Sequence, residues 1–178
     1  MNNFQFNLTF VADLKLRQMK KAIIAAILIS TFSVAAFAAN GGKVADKKTG
    51  EEKVSNEVVN EFNADFKDAK NPVWIVTSNS QKVTFTINGE QKSAFYDLAG
   101  KYMGLTQTIT LKDIPYYAQE NIDNDYKGYT VGQVLKYESN GSADQARVTY
   151  FVDLKKANSE LLIKVIPGDK PELYKTIK

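Results

Sequence analysis

The 178-residue chain contains neither cysteine nor histidine. These absences remove the thiol nucleophile, the commonest general base and most transition-metal ligand sets, so no zinc, haem, copper or other cofactor is expected. Disulfides are excluded, as is a lipid anchor attached through an N-terminal cysteine. Hydrolysis by a serine with a lysine base, or by paired carboxylates, needs only residues that are present. No spacing singles out such a pair, and the chain reads as non-enzymatic. A calcium loop fails similarly: Asp123, Asn124 and Asp125 make the right start. Lys127 and Val134, however, stand where an oxygen ligand and a bidentate Glu belong.

A long apolar run is also missing outside the N-terminus. There, Met19-Lys20-Lys21 precedes apolar residues 22–29 and a small-residue run ending Ala36-Phe37-Ala38, the three parts of a bacterial secretory signal with cleavage expected after Ala38. The apolar core is shorter than the roughly 20 residues a membrane span needs, so no stable anchor is expected after cleavage. Residues 1–18 read as an upstream extension, which leaves Met1 and Met19 both open as the start of translation. The expected location is the periplasm or the cell exterior.

An excess of charge is missing as well. The formal net charge is +3, but Lys15, Arg17, Lys20, Lys21 and the acid Asp13 all precede the cleavage point; removing them from 23 basic and 20 acidic residues leaves 19 of each. A neutral domain gives no general electrostatic case for nucleic acid or an anionic membrane as partner. At this length it buries about two-thirds of its unfolded surface and folds without disulfides.

Residues 39–53, rich in Gly, Lys, Asp, Glu and Thr, read as a flexible lead-in to a single domain at 54–178. Ser55 is placed to cap a helix whose apolar stripe is Val58, Val59, Phe62 and Phe66, ended by Asn71-Pro72. Strands are expected at 73–77, 82–88, 91–97 and 102–110, with Asn88-Gly89 as a tight turn. In the last of these, Met103, Leu105 and Ile109 are expected opposite Tyr102, Thr106, Thr108 and Thr110. Asp113-Ile114-Pro115 opens a second helix with Ile114, Tyr117, Ala118, Ile122 and Tyr126 on its apolar face. Gly128 stops that helix. Strands then follow at 130–139, 147–154, 161–166 and 173–177, with a loop at 140–142.

The order reads as two pseudo-repeats, 54–112 and 113–178. The expected fold is α+β: two tandem helix-plus-four-strand units forming an antiparallel sheet with helices packed on one face. In this pattern Trp74 belongs to the core and Asp97 serves the turn before Gly100.

Val73-Trp74, Lys82-Val83-Thr84-Phe85, Phe95-Tyr96-Asp97-Leu98-Ala99-Gly100, Ile114-Pro115 and Tyr126-Lys127-Gly128-Tyr129, in this order, resemble the periplasmic PepSY-like group. More closely, the chain is similar to the beta-lactamase-inhibitor-like, PepSY-like domains, over essentially all of the domain from Val54. The resemblance implies an antiparallel sheet with helices on one face and an exposed face able to bind another protein. It does not imply inhibition of a beta-lactamase: the inhibitor that names the fold uses disulfides, and no motif here carries its contact residues.

Strand alternation puts Lys82, Thr84, Thr86, Arg147, Thr149 and Phe151 on the side away from the helices. Such a set makes either a protein-binding face anchored by Phe151 or an ordinary solvated sheet face. The expected function is recognition of another periplasmic or envelope protein through that face. The alternatives are a small-molecule or peptide carrier with its ligand between sheet and helices, and a hydrolase with a carboxylate or Ser/Lys site.

Overall fold

A computed structural model of the protein describes residues 53–139 and 147–178; the loop expected at 140–142 lies outside the described residues. The elements run α1 (Asn56–Asp65), β1 (Lys70–Val76), β2 (Gln81–Ile87), β3 (Glu90–Tyr96), β4 (Tyr102–Ile109), a 3-10 turn (Leu111–Asp113), α2 (Tyr116–Asp125), β5 (Thr130–Ser139), β6 (Arg147–Lys156), β7 (Ser159–Val165) and β8 (Glu172–Thr176). All eight strands form one antiparallel sheet in chain order. The fold is α+β, with two helices among the described residues.

Both helices lie on the same face of this sheet. Val58 and Phe62 of α1 pack with Trp74, Val83, Phe85, Ala94 and Tyr96, joined by Leu105. Ala118 and Ile122 of α2 pack with Val134, Val152, Leu154, Ile163 and Val165, joined by Ile109. Leu105 and Ile109 are four residues apart on β4, so they point to one side, and both helices must share it. The expected apolar stripe of α1 holds in full: Val59 and Phe66 pack against the first cluster beside buried Val58 and Phe62.

Local chemistry explains where the elements begin. Ser55 Oγ accepts from the Val58 N–H at 3.4 Å, capping α1. The Ser55 N–H donates to Gln81 Oε1 at 3.1 Å, and Gln81 Nε2 donates to the Asp97 carbonyl at 3.2 Å, tying the helix start to β2 and the β3 end. Asn88 and Gly89 both adopt positive φ, 53° and 80°, as a two-residue hairpin turn requires. Asp97 Oδ1 accepts from the Ala99 and Lys101 N–H groups, each at 2.9 Å, so its carboxylate serves the turn.

Four expectations are corrected. Asn71-Pro72 does not end α1, which stops at Asp65; both residues lie in edge strand β1, where a missing N–H is tolerated. Asp113 does not open α2. Its carboxylate accepts from the Thr110 N–H and hydroxyl, both at 2.8 Å, capping the separate 3-10 turn, and α2 begins after Pro115. Tyr117 leaves the apolar stripe of α2, its hydroxyl donating to the Ile166 carbonyl at 3.3 Å and accepting from the Gly168 N–H at 2.7 Å. Tyr102 joins Leu105 in the first cluster rather than opposing it, because the β3–β4 register shifts between Phe95 and Tyr96 and reverses the alternation there.

Candidate functional site

The face opposite the helices can be read row by row from strand register, since residues paired across neighbouring strands point to the same side. One row runs Ile75, Lys82, Phe95, Gly104, Ser139, Arg147 from β1 to β6. The next runs Val73, Thr84, Ser93, Thr106, Tyr137, Thr149. Lys82 and Arg147 therefore share one row, and Thr84 and Thr149 share the adjacent one. Thr86 and Phe151 follow two positions further along β2 and β6. The backbone brings all six sequence-predicted residues onto one face; the side chain of Arg147 lies outside the described residues.

Their exposure differs from the expectation. Phe151 is 1% exposed and stacks edge-on to Tyr174 at 5.2 Å, so it is not a solvent-facing anchor. Lys82 is 5% exposed, with Nζ 5.7 Å from the centre of the Phe95 ring, and burial pushes its pKa below the ordinary lysine value. Thr84, Thr86 and Thr149 are half-buried. Alternation gives the side of the five described side chains, but packing on that side removes Lys82 and Phe151 from water and covers the three threonines in part.

The side chains that sequence reasoning missed are the neighbours that make this packing. Phe95, Leu135, Tyr137 and Leu162 are buried on this face around the sequence-predicted Phe151, and none of the five belongs to either helix-side cluster. Thr84 and Ser93 share a hydroxyl hydrogen bond of 2.9 Å, and Ser93 and Thr106 are buried beside them. Tyr137 crosses above Gly104 and donates to the Met103 carbonyl at 3.0 Å, its pKa pushed up to about 12 by burial. A Cβ on Gly104 would meet the Tyr137 ring at 2.7 Å, and its φ of +153° suits glycine, so this position is fixed by close approach. A hydroxyl row thus crosses β2 to β6, flanked by an aromatic and aliphatic floor. Only the tyrosine–glycine pair had a sequence signal, a glycine inside a strand pattern.

At the β1 edge the same face continues outward through Val73 and Ile75, 40% and 47% exposed. Between β5 and β7 it holds Asp153, whose side chain is 1% exposed, with Lys155 Nζ at 3.1 Å from Oδ2. Burial raises the Asp153 pKa, more than the attraction of Lys155 lowers it.

Elsewhere, a shallow groove of about 520 Å³ is lined by Glu90, Gln107, Thr110, Asp113, Lys136 and Tyr150 among others. Its Asp113 carboxylate is already held by Thr110, leaving no evident reactive pair. Among the described residues no group of three His, Cys, Asp or Glu is placed to hold a metal, and no helix is long and apolar enough to cross a membrane.

No protein-family model and no curated protein matches the chain by sequence. Solved structures do match by fold. A BLIP-like protein from Bacteroides fragilis superposes with a TM-score of 0.58 at 11% identity, covering 69% of this chain and 86% of that one. A DUF2874 family protein from Bacteroides uniformis gives 0.58 at 15%, covering 70% and 87%. A candidate periplasmic protein from Bacteroides eggerthii gives 0.61 at 12%, covering 70% and 89%. The resemblance read from the sequence is thus present in three dimensions: the chain has the fold of BLIP-like and DUF2874 family proteins.

Proposed function

We propose that this protein is a non-enzymatic binding module of the periplasm or cell exterior that recognises another envelope protein through the sheet face opposite its helices. In this reading residues 1–18 are an upstream extension, 19–38 a cleaved signal and 39–53 a lead-in. Residues 54–178 form one domain of two tandem helix-plus-four-strand units, 54–112 and 113–178. Element order supports the tandem reading, since each helix is followed by four strands. So do the helix ends: Phe66 and Tyr126 have similar backbone angles, and their N–H groups donate to the Phe62 and Ile122 carbonyls respectively.

The observation that carries the functional reading is the composition of the open face. One side of the sheet is occupied in burying both helix stripes, yet the other carries Phe95, Leu135, Phe151 and Leu162 beside a hydroxyl row, and exposes Val73 and Ile75. The four rings and leucines are themselves buried, so what this side offers a protein partner is exposed Val73 and Ile75 at its edge beside the half-buried hydroxyls of Thr84, Thr86 and Thr149. The candidate periplasmic protein among the fold neighbours supports the location. On the helix side, the space between sheet and helices is filled by the two clusters, which counts against a carrier.

The test places a photo-crosslinking residue at Thr84 or Thr149 and, as control, at exposed Glu120 on α2. The reading expects partner adducts from the first two positions and not from the third. Adducts only from the helix side would discard it.

A further inference from the structure

Within the open face, Asp153 stands in an unusual position. Its side chain is 1% exposed, and apart from the Lys155 ammonium 3.1 Å from Oδ2 neither carboxylate oxygen has a hydrogen-bond donor among the described residues. A buried carboxylate in that state is unfavourable unless a donor arrives. Room for it is made by Gly132, where any Cβ would collide with Oδ2. Gly132 is itself exposed and lies where the β5–β6 register shifts between Val131 and Val134, so the carboxylate sits directly against an exposed backbone position.

Among the described residues its one cationic neighbour is Lys155, whose Nζ lies 3.1 Å from Asp153 Oδ2 and 3.4 Å from Glu160 Oε1 while its side chain is 56% exposed. Two carboxylates thus converge on a single ammonium carried by a flexible side chain in contact with water. The lysine is a point charge and leaves Oδ1 without a donor. A guanidinium, with a planar fork of donors, can serve both oxygens at once.

We propose that Asp153 and Glu160 form a cradle for one basic side chain of a protein partner, arginine being the best fit, and that Lys155 fills the cradle until the partner displaces it. This assignment rests on the open face being the partner surface. Lys155 then acts as an internal competitor, so removing it improves binding rather than weakening it. A purely structural ion pair behaves the opposite way or not at all.

The test titrates the purified protein with N-acetyl-arginine amide and follows the Gly132 amide and the Asp153 and Glu160 carboxyl signals by NMR, with N-acetyl-norleucine amide as control. Saturable shifts are expected with the arginine probe only. Lys155→Met should tighten binding roughly two- to fivefold, the range set by an exposed ion pair. Asp153→Asn, which keeps the side-chain shape, should abolish it. Absence of saturable shifts in both the wild type and Lys155→Met, or shifts that survive Asp153→Asn, overturns the cradle. Crosslinks from Thr84 and Thr149 in the absence of arginine binding would remove the cradle and leave the face reading intact. No crosslinks from those positions would remove the face reading itself.

Discussion

Replacing Phe151 by Ala should cost about 3–5 kcal/mol of folding stability. The ring is fully buried, so the transfer contribution alone is about 2–3 kcal/mol. Loss of the edge-on contact with Tyr174, at 5.2 Å between ring centres, adds about 0.5–1.5 kcal/mol. Any cavity that the neighbouring Leu135, paired with Phe151 across β5 and β6, fails to close raises the cost further. Urea denaturation measures this directly. With a slope of about 2 kcal/mol/M, typical of a small domain, the midpoint should fall by roughly 2 M with the slope unchanged. Phe151→Leu should recover more than half of the loss, because it refills most of the volume. A midpoint shift below about 0.3 M would mean that the ring stands in water, and the packed open face described above would be wrong.

Asp153→Asn should raise stability at neutral pH and flatten its pH dependence. Burial lifts the folded pKa of Asp153 above its unfolded value, so the folded state holds the proton more tightly. Stability is then greatest below the unfolded carboxyl range and declines as pH rises through the folded pKa, a slope the variant lacks. Thermal melts from pH 3.5 to 8 would show it, and a wild type that gains stability over that window through this residue would contradict the assignment. Lys82→Met should leave neutral-pH stability equal or higher, since it removes a desolvated ammonium but keeps the packing on Phe95. A loss above about 1 kcal/mol in denaturant would reveal an ion pair for Lys82. Gly104→Ala should destabilise by about 1–3 kcal/mol through collision with the Glu138 carbonyl oxygen and the Tyr137 ring, and adding Tyr137→Leu should relieve only the ring's share, so the double change costs somewhat less than the two single changes added together.

Much of the architecture was legible because it is local. The span 130–139 matches β5 residue for residue, Asn88-Gly89 forms its turn, and the α1 stripe packs as its spacing requires. Failures arose where a distant contact decides. Tyr102 changed sides because a register shift in β3–β4 has no composition of its own. Phe151 and Lys82 were assigned to the correct side with the wrong exposure, since period-two alternation tells which way a side chain points and nothing about what surrounds it. The Gly132–Asp153 contact joins two strands across a bulge, and a lone glycine and a lone aspartate carry no pattern linking them. The rows shared by Lys82 and Arg147, and by Thr84 and Thr149, became visible only once register was known.

The central claim is that the sheet face opposite the helices binds an envelope protein. The most direct measurement is site-specific photo-crosslinking in living cells from Thr84 and Thr149, compared with Glu120 on α2, followed by mass spectrometry of the adducts. The account predicts one recurring envelope partner from both strand positions and none from the helix. Equal capture from all three positions, or capture from Glu120 alone, would contradict it.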